Sequence, residues 1–308
     1  MKTKRYRDYN SYLRSLFGCR VQKITVDAGF TCPNRDGTCG WGGCVYCNAR
    51  GSGTGAALCG ASITAQLEAG KAFLKKRYRA QKFLAYFQAF SNTYAPLPQL
   101  KARYEEALAV PDVVGLTIGT RPDCVPDDVL DYLAELARTH LIWLEYGLQS
   151  AHDATLARIN RGHDVAAFVD ALRRARMRTL PVCAHVILGL PGESRDDMLG
   201  TARFLASQDL QAVKIHLLYV IKQTELAEWY QRGDYQCLTR DQYVSLVAQF
   251  LSLLPASVII QRLTSDPHPD ELVAPRWALE KRRNLEAIQS FLEEHDLFQG
   301  KVWRQIAR

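Results

Sequence analysis

The sequence predicts an α/β protein in which parallel strands curl into a partial (β/α)6 TIM-like barrel. Six apolar runs alternate with helical patterns at intervals of about thirty residues, which is typical of βαβ units and a parallel sheet. The runs are apolar on both faces, as expected for strands covered by helices. A doubly wound sheet is the alternative, but no G-x-G-x-x-G motif follows the first strand.

Each element follows from local patterns. Apolar and β-branched runs between turn residues predict barrel strands at 22–27, 82–90, 113–119, 141–147, 179–189 and 212–220. Helical spacing predicts an amphipathic segment at 9–17 and helices at 63–79, 98–110, 126–138, 152–159, 165–176 and 195–207. Ser62 is the predicted N-cap of the helix that starts at residue 63.

The pattern changes after residue 220. Helices are predicted at 225–231, 239–253 and 276–294, with a short strand at 257–262. We therefore expect an N-terminal segment (1–20), a core barrel (21–235) and a C-terminal helical extension (236–308). The extension is expected to close the side of the barrel or to shape the substrate entrance.

Composition limits the class of protein. The chain of 308 residues is 47% hydrophobic and 23% charged, as is typical of globular proteins. Nine cysteines in a chain of this length do not indicate a disulfide framework, and their number is odd. The basic N-terminus lacks the apolar stretch of a signal peptide, and no run of about 18 apolar residues predicts a membrane span. We expect a cytoplasmic protein with reduced thiols, some of which bind a metal.

The net charge of +7 is unevenly distributed. Three clusters of basic residues stand out: Lys71, Lys75, Lys76, Arg77, Arg79 and Lys82; Arg173, Arg174, Arg176 and Arg178; Lys281, Arg282 and Arg283. Such clusters are typical of proteins that bind a polyanion such as RNA. The alternative is that they only solvate helix surfaces.

A cysteine-rich loop at 31–48 follows the first predicted strand. Cys32, Cys44 and Cys47 have C-x11-C-x2-C spacing, and Cys39 lies between them among four glycines. The loop therefore lies at the carboxyl end of a strand, where α/β folds place their active sites. An iron–sulfur cluster is the leading hypothesis. A zinc site, incidental thiols and a redox pair of Cys44 with Cys47 are the alternatives, although zinc sites usually have two C-x2-C pairs.

The loop CPNRDGTCGWGGCVYCN resembles the cluster loop of the YhcC-type radical S-adenosylmethionine (SAM) proteins, relatives of the Elongator catalytic subunit. Further segments resemble that family in order: YFQAF, GTRPDCVPD, WLEYGLQSAHDATLARINRGHD, HVILGLPGE, VKIHLLYV and APRW. The resemblance covers most of the chain. It implies a radical SAM barrel, a [4Fe–4S] cluster on Cys32, Cys44 and Cys47, and SAM at the open iron; Cys39 is not implied as a ligand.

The implied chemistry is reductive cleavage of SAM to methionine and a 5′-deoxyadenosyl radical, which removes hydrogen from the substrate. The expected SAM contacts lie within the predicted strands or in the segments that follow them: Gln88, Ser91, Glu145, Gln149, Arg161, His185, Gly189 and Glu193. Gln88 and Ser91 depart from the Gly-Gly-Glu-like turn that is usual there. Cys124 is a candidate catalytic thiol, and an ion pair of Arg121 with Asp123 is expected beside it.

Two classes of function follow. The first is a radical SAM enzyme that modifies a tRNA base, with the side chain at C5 of the wobble uridine as the specific target and flavodoxin or ferredoxin as electron donor. A small-molecule or peptide substrate is the alternative within this class. The second class is a non-catalytic, zinc-organised nucleic-acid-binding protein. A chain of this length is not expected to carry an acetyltransferase domain.

Overall fold

The computed structural model describes residues 4–51 and 56–303, so the last five residues of the predicted extension lie outside it. The strands are β1 (Val21–Val26), β2 (Lys82–Phe87), β3 (Val113–Thr120), β4 (Leu141–Gln149), β5 (Val182–Leu188), β6 (Ala212–Leu217), β7 (Val220–Ile221), β8 (Ile259–Arg262) and β9 (Leu272–Ala274). The helices are α1 (Tyr9–Phe17), α2 (Ile63–Tyr78), α3 (Leu97–Leu108), α4 (Asp127–Leu136), α5 (Asp153–Arg158), α6 (Val165–Met177), α7 (Arg195–Ala206), α8 (Glu225–Arg232), α9 (Arg240–Leu253) and α10 (Lys281–Glu294). Within this part of the chain, no helix combines the length and the hydropathy that a bilayer span requires.

Seven strands form one parallel sheet in the order β1-β2-β3-β4-β5-β6-β8. The sheet curls into a half-barrel with helices on its outer face, so the predicted partial barrel is confirmed. It has one strand more than the six predicted, because β8 pairs with β6 although it lies in the predicted extension. The boundaries of the three predicted segments stay predictions.

The N-terminal segment covers the gap between β8 and β1. The N–H of Ile260 donates to the carbonyl of Arg7 at 2.8 Å, and α1 packs against both strands. Tyr9 and Leu13 of α1 are buried in one apolar cluster with Trp143 at the amino ends of the strands. This end of the barrel is therefore closed, and the carboxyl end carries the open cavity.

Several elements have other bounds than the sequence predicts. Strand β2 stops at Phe87, and Phe90, which was included in the predicted strand, has a left-handed conformation with φ of 60°. Strand β5 begins only at Val182, since Thr179 is also left-handed. Val220 pairs with β9 instead of extending β6. The final helix is divided into a 3₁₀ turn (Arg276–Leu279) and α10.

The cysteine loop is held by the protein around it. The N–H of Val45 donates to the carbonyl of Ile159 at 3.1 Å, and the N–H of Leu226 donates to the carbonyl of Val45 at 2.9 Å. The Val45 side chain is buried in a small apolar cluster with Leu156 and Leu190. The segment that carries Cys44 and Cys47 is thus fixed between α5 and α8.

Candidate active site

A cavity of about 220 Å³ lies at the carboxyl ends of the barrel strands. Its lining includes Cys32, Cys44 and Cys47, and all nine cysteines of the chain are free thiols. Cys39 is exposed and does not line the cavity. Folding therefore brings together the three cysteines that are separated by C-x11-C-x2-C spacing and leaves the fourth outside.

Hydrogen-bond donors contact the Cys44 sulfur and the Cys47 backbone. Arg161 Nη1 lies 3.6 Å from Cys44 Sγ, and Asn34 Nδ2 lies 3.9 Å from the same sulfur. Arg35 Nη2 donates to the carbonyl of Cys47 at 2.9 Å. Thiolates accept such hydrogen bonds in iron–sulfur sites, where they tune the cluster. Three free thiols in one cavity, with two N–H donors directed at the Cys44 sulfur, are a donor set that fits a [4Fe–4S] cluster.

Gly147 lets the Arg161 side chain lie against the backbone of β4. Arg161 Nη2 donates to the carbonyl of Gly147 at 2.7 Å, and Arg161 Nε donates to the same oxygen at 3.2 Å. A Cβ at Gly147 would lie only 2.6 Å from Arg161 Nη2. Glycine at position 147 therefore leaves the space that the Arg161 guanidinium occupies beside Cys44.

The floor of the cavity is a buried ion network centred on Glu145. Its carboxylate accepts hydrogen bonds from Lys23 Nζ, from Lys214 Nζ at 2.9 Å and from His185 Nε2 at 2.7 Å. Burial alone would raise the pKa of Glu145, but Lys214, Lys23 and His185 together hold that pKa well below its usual range. Burial lowers the pKa of His185 to about 4, so its imidazole is neutral near pH 7.

Glu145, Cys183 and His185 also present three ligand atoms within 4.8 Å of one another. Two lysine ammonium groups already bind the Glu145 carboxylate. Burial raises the pKa of Cys183 well above its ordinary value, so the thiol keeps its proton. The three residues therefore fit an ion-pair network better than a metal site.

Most of the expected SAM contacts line this cavity. Those that do are Gln88, Ser91, Glu145, Gln149, Arg161 and His185. Gln149 has a φ of 75°, which is unusual for a residue with a side chain, and it follows an irregularity in the pairing of β4 with β5. Backbone strain of this kind is concentrated at functional sites.

Three residues of the predicted site lie elsewhere. Gly189 and Glu193 line a neighbouring cavity of about 530 Å³ together with Arg158 and Trp229. Cys124 is buried and lines neither cavity, and burial raises the pKa of its thiol to about 12. The Arg121–Asp123 ion pair is present, with Arg121 Nη2 2.7 Å from Asp123 Oδ2. The roles of Gly189, Glu193 and Cys124 stay predictions.

Three basic residues of the cavity lining were not predicted from the sequence. Lys214, His216 and Arg262 all line the cavity, and Lys214 is buried. The lysine inside the apolar run AVKIHL could have predicted a buried ion pair, because a charge in a buried strand is costly unless it is paired. Arg262 could not be found in this way, since it ends a short strand that was assigned to the extension.

The free energy of unfolding is expected to rise with pH between about 7 and 8.5 more steeply in the natural protein than in Lys214→Met. Burial, opposed by Glu145, lowers the pKa of folded Lys214 to about 7, whereas an unfolded lysine titrates near about 10.4. The unfolded chain therefore binds more protons in this interval, which makes stability increase with pH. Urea denaturation across the interval measures both slopes, and equal slopes would show that Lys214 stays protonated.

Comparison with known proteins identifies the family. Residues 34–205 match the family model described as Radical SAM superfamily, and residues 210–294 match the Radical_SAM C-terminal domain. The chain is 42% identical to YtqA of Bacillus subtilis, over 98% of this chain and 94% of that protein. It is 39% identical to YhcC of Escherichia coli, over 91% and 89% of the two chains.

Two less similar proteins are also informative. A tRNA uridine(34) acetyltransferase of Methanocaldococcus jannaschii is 27% identical, over 60% of this chain and 34% of that protein. The solved structure of an archaeal Elp3 from Methanocaldococcus infernus superposes with a TM-score of 0.69 at 18% identity, covering 91% of this chain and 64% of that one. The match to the solved Elp3 structure confirms the fold.

The family match confirms the resemblance inferred from the cysteine loop and the later segments. It favours an enzyme over the zinc-organised binding protein, because this family uses a [4Fe–4S] cluster and SAM. The chain belongs to the radical SAM superfamily and is a radical SAM enzyme of the YhcC type, related to Elp3.

Proposed function

We propose that this enzyme modifies a tRNA base, with the C5 side chain of the wobble uridine as the favoured target. The observation that carries the proposal is the similarity to a protein named tRNA uridine(34) acetyltransferase. That similarity covers 60% of this chain but only 34% of the relative, so it supports a shared substrate class and not a shared reaction. A small-molecule or peptide substrate is the alternative.

We further propose that Cys32, Cys44 and Cys47 ligate the cluster and that Gln88, Ser91, Gln149 and Arg161 contact SAM. The bound cluster supplies the electron that cleaves SAM to a 5′-deoxyadenosyl radical. The Arg161 guanidinium, which is buried and held by the Gly147 carbonyl, would bind and orient SAM in the cavity. Glu145 holds Lys214 in place in the cavity floor, and His185 donates to the same carboxylate.

The basic clusters give this proposal limited support. Each arginine of the second cluster pairs with an aspartate: Arg173 and Arg174 with Asp170, Arg176 with Asp209, and Arg178 with Asp131. In the part of the chain that the structure describes, Lys76 and Arg79 of the first cluster have no acidic partner. They flank the end of α2, directly before β2, and so lie at the opposite end of the barrel from the cavity. RNA bound at the cavity would not reach them without extending around the barrel.

We also propose a cytoplasmic enzyme that receives its electron from a flavodoxin or ferredoxin. The free thiols of all nine cysteines support a reducing compartment. Reductive cleavage of SAM requires a one-electron donor of low potential, and small redox proteins of these two classes supply such electrons.

Deleting the gene is expected to change a modified nucleoside in bulk tRNA. The enzyme would no longer convert its target base, so its product should disappear and the precursor should accumulate. Mass spectrometry of digested tRNA measures both, and re-expression of the natural chain, but not of Cys44→Ala, should restore the product. An unchanged nucleoside profile would contradict the tRNA proposal and favour the small-molecule or peptide alternative.

A further inference from the structure

The floor of the active-site cavity contains more cations than anions. Lys23, Lys214 and Arg262 approach it, whereas Glu145 is the one carboxylate among the described residues that line it. Both oxygens of Glu145 are already occupied, Oε1 by Lys23 and Oε2 by Lys214 and His185. Among the described residues, no other carboxylate lines the cavity to balance the positive charge that remains.

Arg262 carries this excess charge. It ends β8, lies beside Lys214 in the strand register and lines the cavity in a half-buried position. In the described ranges its guanidinium has no hydrogen-bond or ion-pair partner. The nearby Asp266 is paired with Lys281 at 2.5 Å and does not compensate it. Half-buried guanidinium groups usually bind a carboxylate or a phosphate, because withdrawing a charge from water is costly without a partner.

His216 provides a second unpartnered group on the same cavity. Its Nε2 atom is buried and has no hydrogen-bond partner in the described part of the protein. Burial, and then the neighbouring His185, Arg262 and Lys214, hold the pKa of His216 well below its usual value. The ring is therefore neutral and can donate one N–H, which a bound acceptor would satisfy.

We propose that Arg262 and His216, beside Lys214, form a subsite for an oxyanion carried by the substrate, either a carboxylate or a phosphate. This proposal rests on the proposed function for the identity of the substrate. Its new element is that the substrate carries a negative charge close to the carbon that reacts. The planar guanidinium binds two oxygens of such a group at once, and the imidazole donates to one of them. Because the cysteines line the same cavity, an anion held here positions the rest of the substrate next to SAM.

The test measures anion binding by the reconstituted, SAM-saturated full chain, with inorganic phosphate and acetate as separate probes. Arg262→Leu is expected to lower the affinity for the preferred probe by about 10- to 100-fold, the loss expected for a charge-assisted contact. Arg262→Lys should retain part of the affinity. Arg282→Leu is the matched control, since Arg282 is exposed and pairs with Glu286 away from the cavity. Preference for acetate or for phosphate identifies the source of the oxyanion.

Three results would overturn the subsite. The first is that neither probe binds to the natural chain, and the second is that Arg262→Leu binds the probe as tightly as the natural chain does. The third is a parallel loss of SAM affinity in Arg262→Leu, measured by equilibrium dialysis, because the guanidinium would then hold the carboxylate of SAM. The nucleoside profile of the deletion strain is a separate readout, so the tRNA proposal can fail while anion binding at Arg262 stands.

Discussion

Replacing Cys44 with alanine is expected to remove the cluster and to reduce the rate of SAM cleavage by more than about 100-fold. Mutating a residue that only hydrogen-bonds to a metal ligand already lowers metal affinity or activity by about 10- to 100-fold, and loss of a ligand itself should cost more. Cys44 is buried beside Arg161 and Asn34, and no other cysteine lines the cavity apart from Cys32 and Cys47 among the described residues. No thiol is therefore in place to substitute for it. Iron and sulfide analysis after anaerobic reconstitution, with 5′-deoxyadenosine quantified by chromatography, measures both losses.

Cys39→Ala is the matched control, because Cys39 belongs to the same loop but is exposed and outside the cavity. It should keep the full iron content and the full rate of SAM cleavage. Full iron in Cys44→Ala would contradict the ligand assignment. Loss of iron in Cys39→Ala would do so as well, because it would indicate a cluster with four protein ligands.

Replacing Glu145 with glutamine is expected to lower the free energy of unfolding by about 3–5 kcal/mol, the usual cost of removing one partner from a buried ion pair. Glu145 is 1% exposed and neutralises Lys214 and Lys23, whose ammonium groups would be left uncompensated. Urea denaturation of the reduced protein near pH 6, below the pKa of about 7 of Lys214, measures the change. The double substitution Glu145→Gln with Lys214→Met should recover part of the lost stability, because the charge that the carboxylate compensated is then absent.

An exposed pair supplies the control for Glu145. Glu286→Gln removes the partner of Arg282 on the outer face of α10 and should change the free energy of unfolding little, because solvent screens exposed charges. If Glu145→Gln destabilised the protein no more than Glu286→Gln, the network in the cavity floor would not be a structural ion cluster. The account of Lys214 as a residue held in place by Glu145 would then be wrong.

The cysteines and the family-segment residues of the site could be predicted from the sequence, whereas the ion network in the cavity floor could not. Cys32, Cys44 and Cys47 are close in sequence, so their spacing alone indicated a common site. Gln149 and Arg161 could be placed because the same family segment carries both. These inferences needed no knowledge of how distant strands pair.

The cationic floor, in contrast, depends on pairing between distant strands. Lys214 and Arg262, from β6 and β8, line the cavity, and Lys23, from β1, reaches its floor through Glu145. The sequence separations give no sign that these three residues meet. Assigning 257–262 to an extension removed Arg262 from the barrel altogether. Likewise, Asp127 and Asp131, which pair with Arg174 and Arg178, lie on α4. The sequence did not show that these carboxylates offset the positive charge of the arginine cluster.

The measurement that tests the central claim most directly is electron–nuclear double resonance on the reduced protein with SAM labelled with ¹⁵N in its amino group. Three cysteine ligands leave one iron for SAM, so the natural chain and Cys39→Ala should both show a hyperfine coupling between the cluster and the labelled nitrogen. Absence of that coupling in a protein with full iron content would contradict the account. It would mean that four protein groups hold the cluster and that SAM does not bind to it.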